Sequence, residues 1–186
     1  VLSSVFNALD VDGGSAAISF AGSISNTLGT AVNISNHTSN TGERVVFTNA
    51  SSVTGSSSNG LLFENADGTY DFKGTIALTT TNGVGVDIRS GSDGTFTFGT
   101  GTSLTSAANK TFRVADGASK VTFSGALTAT GTNVGAGQLV QIGTHTGQVT
   151  FDAASTTTAS AGGLGIDLFR ADGTYQFLGS HTFTGA

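Results

Sequence analysis

The sequence predicts an all-β solenoid, in which the chain winds through stacked coils of about 26 residues with three short strands in each. Two ladders of apolar residues and a regular set of turn residues support this prediction. Each ladder occurs seven times in the 186 residues, so we expect about seven coils. We expect residues 1–186 to form one solenoid segment. Because the repeat runs into both termini, we expect a fragment of a longer repeat protein.

The first ladder consists of seven phenylalanines at steps of 27, 25, 26, 25, 28 and 26 residues. Each Phe ends an alternating triplet, such as Tyr70-Asp71-Phe72, whose outer residues are large and apolar. Alternation with period 2 predicts a half-buried strand, so we expect these phenylalanines to point inward. The Phe ladder is Phe20, Phe47, Phe72, Phe98, Phe123, Phe151 and Phe177.

A second ladder of triplets precedes the Phe in each coil, for example Val86-Asp87-Ile88 and Phe112-Arg113-Val114. A third, looser strand follows the Phe. The position equivalent to the ladder residue is mostly apolar, and we expect the register of this strand to slip by two residues between coils. The residues at this position are Ile24, Val53, Ile76 with Leu78, Leu104, Leu127, Thr157 and Phe183.

Turn residues separate the strands, notably Asp-Gly pairs such as Asp67-Gly68 and Asp172-Gly173. Asp, Asn and Gly tolerate positive φ, so these pairs are predicted to form corners. Proline is absent, as expected where interior strands need every N–H for their neighbours. Three strands and three corners predict a three-sided coil, and seven coils would make a rod roughly 33 Å long.

The triplets and corners, as in DGTYDFKG (67–74) and DGTFTFGT (93–100), resemble those of a known architecture over the whole chain. They are similar to the right-handed parallel β-helix stalks of large bacterial surface and secreted proteins, such as autotransporter passengers and filamentous-adhesin-like proteins. A right-handed sense also follows the general rule for parallel crossovers. The resemblance implies a bacterial extracellular or cell-surface location and a structural or adhesive role without enzymatic activity.

The expected partners are other segments of the same longer chain, a second copy, glycans, and host or cell-surface proteins. Nucleic acid is not expected, because the net charge is −5 and basic clusters are missing. Membrane insertion is not expected either, since no stretch of 18 apolar residues occurs. Two alternative functions stay open: a carbohydrate-active β-helix domain, acting as a polysaccharide lyase, a hydrolase or a glycan-binding module, and a self-assembling extracellular fibre subunit.

Three charged residues at outward positions are candidates for surface binding: Asp87, Arg113 and Asp71. Asp87 and Arg113 are predicted to be neighbours on adjacent coils, where they could contact a uronic sugar. The favoured interpretation is a surface ion pair worth at most about 1 kcal/mol. Asp71 shares a coil with Asp87 but is predicted to lie on a different face. Because the carboxylates are scattered, no catalytic residue is assigned.

One segment, from Gly162 to Arg170, fits a calcium-binding nonapeptide and makes Asp167 a candidate calcium ligand. Such sites need tandem copies nine residues apart, and none follows here, so we expect no cofactor. The three histidines, His37, His145 and His181, have no metal-ligand spacing and are predicted to be solvated.

A row of threonines, Thr97, Thr122 and Thr150, is predicted to face outward from the Phe-bearing strands. It resembles the threonine rows of ice-binding solenoids. Those rows are doubled and regular, whereas this one is single and interrupted. We therefore attribute it to the high β-propensity of threonine.

Overall fold

The computed structural model describes residues 6–38, 44–57, 59–80, 82–106, 110–129, 138–160 and 164–184. These residues form 21 β-strands and no helix, so none of them belongs to a helix that could cross a membrane. The strands are β1 (Leu9–Asp12), β2 (Ile18–Phe20), β3 (Ser23–Ser25), β4 (Thr30–Ser35), β5 (Arg44–Phe47), β6 (Ser52–Ser57), β7 (Asn59–Glu64), β8 (Thr69–Phe72), β9 (Thr75–Thr80), β10 (Val86–Arg89), β11 (Thr95–Phe98), β12 (Thr102–Ser106), β13 (Phe112–Ala115), β14 (Lys120–Phe123), β15 (Ala126–Ala129), β16 (Gln138–Gly143), β17 (Gln148–Phe151), β18 (Thr156–Ser160), β19 (Leu164–Phe169), β20 (Thr174–Phe177) and β21 (Ser180–Thr184).

The strands form three sheets of seven, and each coil adds one strand to each sheet. Sheet 1 has the order β1-β4-β7-β10-β13-β16-β19, sheet 2 the order β2-β5-β8-β11-β14-β17-β20, and sheet 3 the order β3-β6-β9-β12-β15-β18-β21. Every pairing is parallel. The predicted parallel β-solenoid with three strands per coil and about seven coils is thus confirmed, while its right-handed sense stays a prediction.

The Phe ladder forms one wall of the core, as predicted. Its five central members are fully buried, and the two in the end coils, Phe20 and Phe177, are partly buried. Successive rings lie 5.3, 4.5, 5.1, 6.0, 5.6 and 5.2 Å apart between centroids. These separations are in the favourable range for aromatic pairs. The stack therefore runs without a break through all seven coils.

The register of sheet 3 differs from the prediction. Strands such as β9 have several inward positions, and the large apolar side chain moves from the first, at Ile76, to the second, at Leu78. The hydrogen-bonded pairing of the strands stays in register. Only the position of the large apolar side chain changes from coil to coil. Consequently Thr157 pairs with His181, and the predicted equivalence of Thr157 with Phe183 is wrong by two residues.

Each coil bends directly after its sheet 1 strand, where the first residue has positive φ. Six of these seven residues are not glycine, although such residues adopt this conformation only at some cost. The positions are Gly13, Asn36, Asn65, Ser90, Asp116, Thr144 and Arg170. The Asp-Gly pairs do lie at corners, but Gly68 is needed for space rather than for positive φ, because a Cβ there would lie 2.8 Å from the Tyr70 hydroxyl.

Candidate functional site

Charged and amide side chains form a column on the outer face of sheet 1. The parallel register places one residue from each coil in this column, so each contacts the next across one strand spacing. The column is Asp10, Asn33, Leu62, Asp87, Arg113, Gln141 and Asp167. The predicted adjacency of Asp87 and Arg113 is confirmed.

Asp87 and Arg113 make a two-point ion pair. Arg113 Nε donates to Asp87 Oδ1 at 2.7 Å, and Arg113 Nη2 donates to Asp87 Oδ2 at 2.5 Å. Hydrogen bonding to Asp87 raises the pKa of Arg113, although burial acts in the opposite direction. Asp87 is only 6% exposed. The pair is therefore not the freely solvated surface pair that the sequence suggested, and its bidentate geometry makes it the stronger kind of ion pair.

Two further charged residues, which sequence reasoning did not select, extend the pair into a cluster. Arg89 Nε donates to Glu64 Oε1 at 2.9 Å, and Arg89 Nη1 lies 3.6 Å from Asp87 Oδ2. Arg89 and Glu64 pair at the ends of neighbouring strands, one position beyond the apolar triplets. Their strand-end position was the sequence signal that could have revealed them.

Lys110 lies close enough to this cluster to interact electrostatically with Arg113 and Asp87. Burial lowers the pKa of Lys110, and the nearby charge of Arg113 lowers it further, while Asp87 and Asp167 act in the opposite direction. The ammonium therefore lies in a partly desolvated environment among charges of both signs.

A cleft of about 210 Å³ opens over the cluster, which we call the sheet 1 cleft. Residues 82–84 form one wall. Its lining residues are Asn59, Leu62, Asn82, Gly83, Val84, Asp87, Arg89 and Arg113. Because Arg113 holds both oxygens of Asp87, this carboxylate is poorly placed to act as a general base. The cleft instead presents hydrogen-bond donors and two apolar side chains, a composition suited to binding.

The other candidate residues lie away from this cleft. Asp71 is on the outer face of sheet 2, where its Oδ2 lies 3.2 Å from Lys73 Nζ, as expected for a different face. Asp167 accepts a hydrogen bond from Gln141 at 3.1 Å. Of the nonapeptide, Gly162 and Gly163 lie outside the described residues. Within the described ranges, no group of three or more His, Asp or Glu residues is placed to hold a metal ion.

The prediction that the histidines are solvated is wrong. His37 and His145 are fully buried at equivalent corners, each beneath a tyrosine of the next coil. His37 Nδ1 lies 3.1 Å from the Tyr70 hydroxyl, and His145 Nδ1 lies 3.2 Å from that of Tyr175. Both ring nitrogens of His181 are also buried, and neither has a hydrogen-bond partner in the described part of the chain. The sequence shows these residues beside turns, but not the coil that covers them.

Each tyrosine also ties two coils together at these corners. Tyr70 donates to the His37 carbonyl at 3.0 Å and accepts from the Gly68 N–H at 3.0 Å. Tyr175 repeats this arrangement with His145 and Gly173. Burial raises the pKa of Tyr70 to about 12. Burial lowers the pKa of His145. Both shifts favour the neutral side chain, as expected for a structural corner.

The predicted threonine row is present on sheet 2, where the register pairs Thr97 with Thr122 and Thr122 with Thr150. A second and longer threonine row, which was not predicted, lies on sheet 3 beside a column of small side chains. The described strand positions of sheet 3 carry no Asp, Glu, Lys or Arg. One column contains Thr79, Thr105, Thr128, Thr158 and Thr182, and its neighbour contains Ala77, Ser103, Ala126, Thr156 and Ser180. The three outer faces therefore differ, and the charged cleft is confined to sheet 1.

Comparison of the chain with protein-family models, with curated proteins and with solved structures found no match. The class that the structure defines is the parallel β-solenoid.

Proposed function

We propose that the chain is a non-enzymatic structural and adhesive segment of a bacterial extracellular protein, presenting its outer faces on a rigid rod. The observation that carries this proposal is the unbroken core. Phe rings stack from Phe20 to Phe177, and all three sheets continue through seven strands. In such a solenoid each coil covers the apolar side of its neighbour, which favours a stiff, extended particle.

The outer faces are suited to display rather than to catalysis. Asp87, the most buried carboxylate of the sheet 1 cleft, is held by Arg113 at both oxygens. Most glycosidases need two available carboxyl groups, one that protonates the leaving group and one that acts as the nucleophile or activates water. A rod that carries a polar cleft, together with an uncharged threonine-rich face, can bind surfaces without chemical change.

The proposal is tested by measuring shape and adhesion on the same purified chain. Small-angle X-ray scattering should give the profile of a compact folded particle whose coil axis is roughly 33 Å long, and a flexible-chain profile would count against the structural role. A glycan array and intact host cells then test adhesion. An absence of binding to both would argue against the adhesive role while leaving the rod untouched.

A carbohydrate-active domain is the second candidate, and the sheet 1 cleft is the observation that favours it. The chain is incubated with acidic and neutral polysaccharides, and the length of the polysaccharides is then measured. This measurement distinguishes a carbohydrate-active domain from an adhesive segment. Cleavage would favour the enzyme over the adhesive segment.

A self-assembling fibre subunit is the third candidate. It is favoured by inward side chains that stay half exposed in the last coil, such as Leu168 (50%) and Phe183 (43%). Electron microscopy of the isolated chain tests this candidate, since a population of only short single rods would contradict it.

A further inference from the structure

The dipeptide Asn-Gly occurs twice in the chain, at Asn59-Gly60 and at Asn82-Gly83, and both asparagines line the sheet 1 cleft. In such a pair the backbone nitrogen of the glycine can attack the side-chain carbonyl carbon of the asparagine, because glycine has no Cβ that obstructs the approach. In a folded chain the attack also requires that the glycine nitrogen is free to move. The two pairs differ in this respect.

The pair Asn59-Gly60 is held in a strand. Both residues belong to β7, where Asn59 pairs with Thr30. The Gly60 N–H donates to the carbonyl oxygen of Val84 at 3.0 Å. The Gly60 nitrogen can attack only after this hydrogen bond breaks and the end of β7 opens. Because local opening of a paired strand costs free energy, we expect the folded chain to protect Asn59.

The pair Asn82-Gly83 lies outside the strands, shortly before β10 begins at Val86. The Asn82 residue is exposed, so water reaches it. Among the described residues, none accepts a hydrogen bond from the Gly83 N–H. Gly83 is nevertheless buried, and a buried N–H without an acceptor is unusual in a folded protein. No hydrogen bond of Gly83 therefore has to break before its nitrogen attacks.

We propose that Asn82 is a site of spontaneous deamidation, with water as the co-reactant. The Gly83 nitrogen forms a bond to Asn82 Cγ, and the side-chain nitrogen leaves as ammonia together with the proton of the Gly83 N–H. Water then opens the cyclic imide that results. The product at position 82 is aspartate or isoaspartate, depending on which of the two imide carbonyl groups the water attacks.

The reaction adds one negative charge to the wall of the sheet 1 cleft. Arg89, which lines the cleft, is paired at present with Glu64. Arg113, which also lines it, is paired with Asp87. A carboxylate at position 82 lies in the same cleft, so it can compete with these acids for the guanidinium groups. The net charge of −5 becomes more negative by one, and ion-exchange chromatography can separate the two forms.

The isoaspartate product also changes the main chain of the cleft wall. The backbone then runs through the former side-chain carbon, which lengthens the chain by one methylene group. This change lies two residues before Val84, whose carbonyl oxygen accepts the hydrogen bond from Gly60. We therefore expect residues 82–84 to move and this hydrogen bond between neighbouring coils to weaken.

The test is to incubate the full chain at neutral to mildly alkaline pH and to follow both Asn-Gly pairs by peptide mass spectrometry. Enzymatic methylation of isoaspartate identifies the product. A parallel sample in guanidinium chloride gives the rate of each pair without the fold. In the folded chain Asn82 should react about 10-fold faster than Asn59 or more, since an opening free energy of about 1.4 kcal/mol slows a reaction 10-fold. In denaturant the two rates should be similar.

Two matched variants assign the reaction to its position. Asn82→Gln lengthens the side chain and should abolish the fast reaction while leaving the slow reaction at Asn59 unchanged. Asn59→Gln is the control and should leave the rate at Asn82 unchanged. Circular dichroism confirms that each variant is folded. In the purified isoaspartate form, the amide hydrogen of Gly60 should exchange with solvent faster than in the starting protein.

Four results would overturn the proposal. The first two are equal rates at Asn59 and Asn82 in the folded chain, and an unreactive Asn82 in the folded chain while both pairs react in denaturant. The third is aspartate without isoaspartate at position 82, because direct hydrolysis without attack by Gly83 gives aspartate alone. The fourth is unchanged exchange at Gly60 in the isoaspartate form, which would contradict the predicted movement of the wall. Each result leaves the scattering and adhesion measurements of the proposed function unaffected.

Discussion

Removing one ring from the middle of the Phe stack should destabilise the solenoid more than removing one from its end. Phe98 is fully buried, and its ring centroid lies 5.1 Å from that of Phe72 and 6.0 Å from that of Phe123. Two further rings, Phe63 and Phe112, approach it to 6.3 Å. Phe98→Ala would leave a cavity among four aromatic neighbours that are held in place by paired strands.

The expected loss is about 3–5 kcal/mol of unfolding free energy for Phe98→Ala. Phe177 lies in the last coil and is only partly buried, so Phe177→Ala should cost about half as much. Phe98→Leu keeps most of the volume and should lie between Phe98→Ala and the wild type. Phe98→Asp would place an unpaired charge in the same position and should prevent the central coils from forming.

Urea denaturation followed by circular dichroism measures these differences through the transition midpoint at constant slope. The reasoning would be refuted if Phe98→Ala lost less than about 1 kcal/mol, or no more than Phe177→Ala. Either result would mean that Phe98 does not occupy a closely packed interior position.

Three further predictions concern polar groups. Asp87→Ala should cost about 1–3 kcal/mol because it leaves Arg113 partly buried without its partner, and Asp87→Asn should cost less; thermal melts that show no loss would contradict the buried pair. Burial lowers the pKa of His145 below 6.5, so the stabilisation by the neutral imidazole is complete above pH 6.5 and is lost as the pH falls. Urea midpoints measured at several pH values should show this loss, and His145→Gln should show a weaker dependence on acid. Burial raises the pKa of Tyr70 from 10 to about 12, so stability should fall as the pH rises through that interval, by up to about 2–3 kcal/mol, and Tyr70→Phe should lack this fall.

Much of the fold follows from local pattern. The alternation in triplets such as Tyr70-Asp71-Phe72 determines which side chains face inward, since a strand has period 2. The even spacing of the phenylalanines determines that equivalent triplets stack. The same reasoning placed Asp87 beside Arg113, because the middle residues of two consecutive triplets must be neighbours in a parallel sheet.

In sheet 3 the local sequence pattern is not enough to predict the strand register. Its strands have several inward positions, and an apolar residue at either of the first two satisfies the core. The prediction from sequence therefore interpreted a change in the position of the apolar residue as a shift in strand register. Backbone pairing decided the matter, because hydrogen bonds between coils fix His181 against Thr157 whatever the side chains are.

The repeat pattern of the amino acids is enough to specify a stacked solenoid, its coil length, its Phe core and the adjacency of Asp87 and Arg113. The burial and the partners of individual polar groups depend instead on how the coils pack. The burial of His37 depends on a tyrosine 33 residues later, and the burial of Asp87 depends on the coils and the connecting segment that surround it. A residue is buried by the side chains that pack over it. In a solenoid these side chains belong to the neighbouring coil, and the local sequence pattern does not specify them.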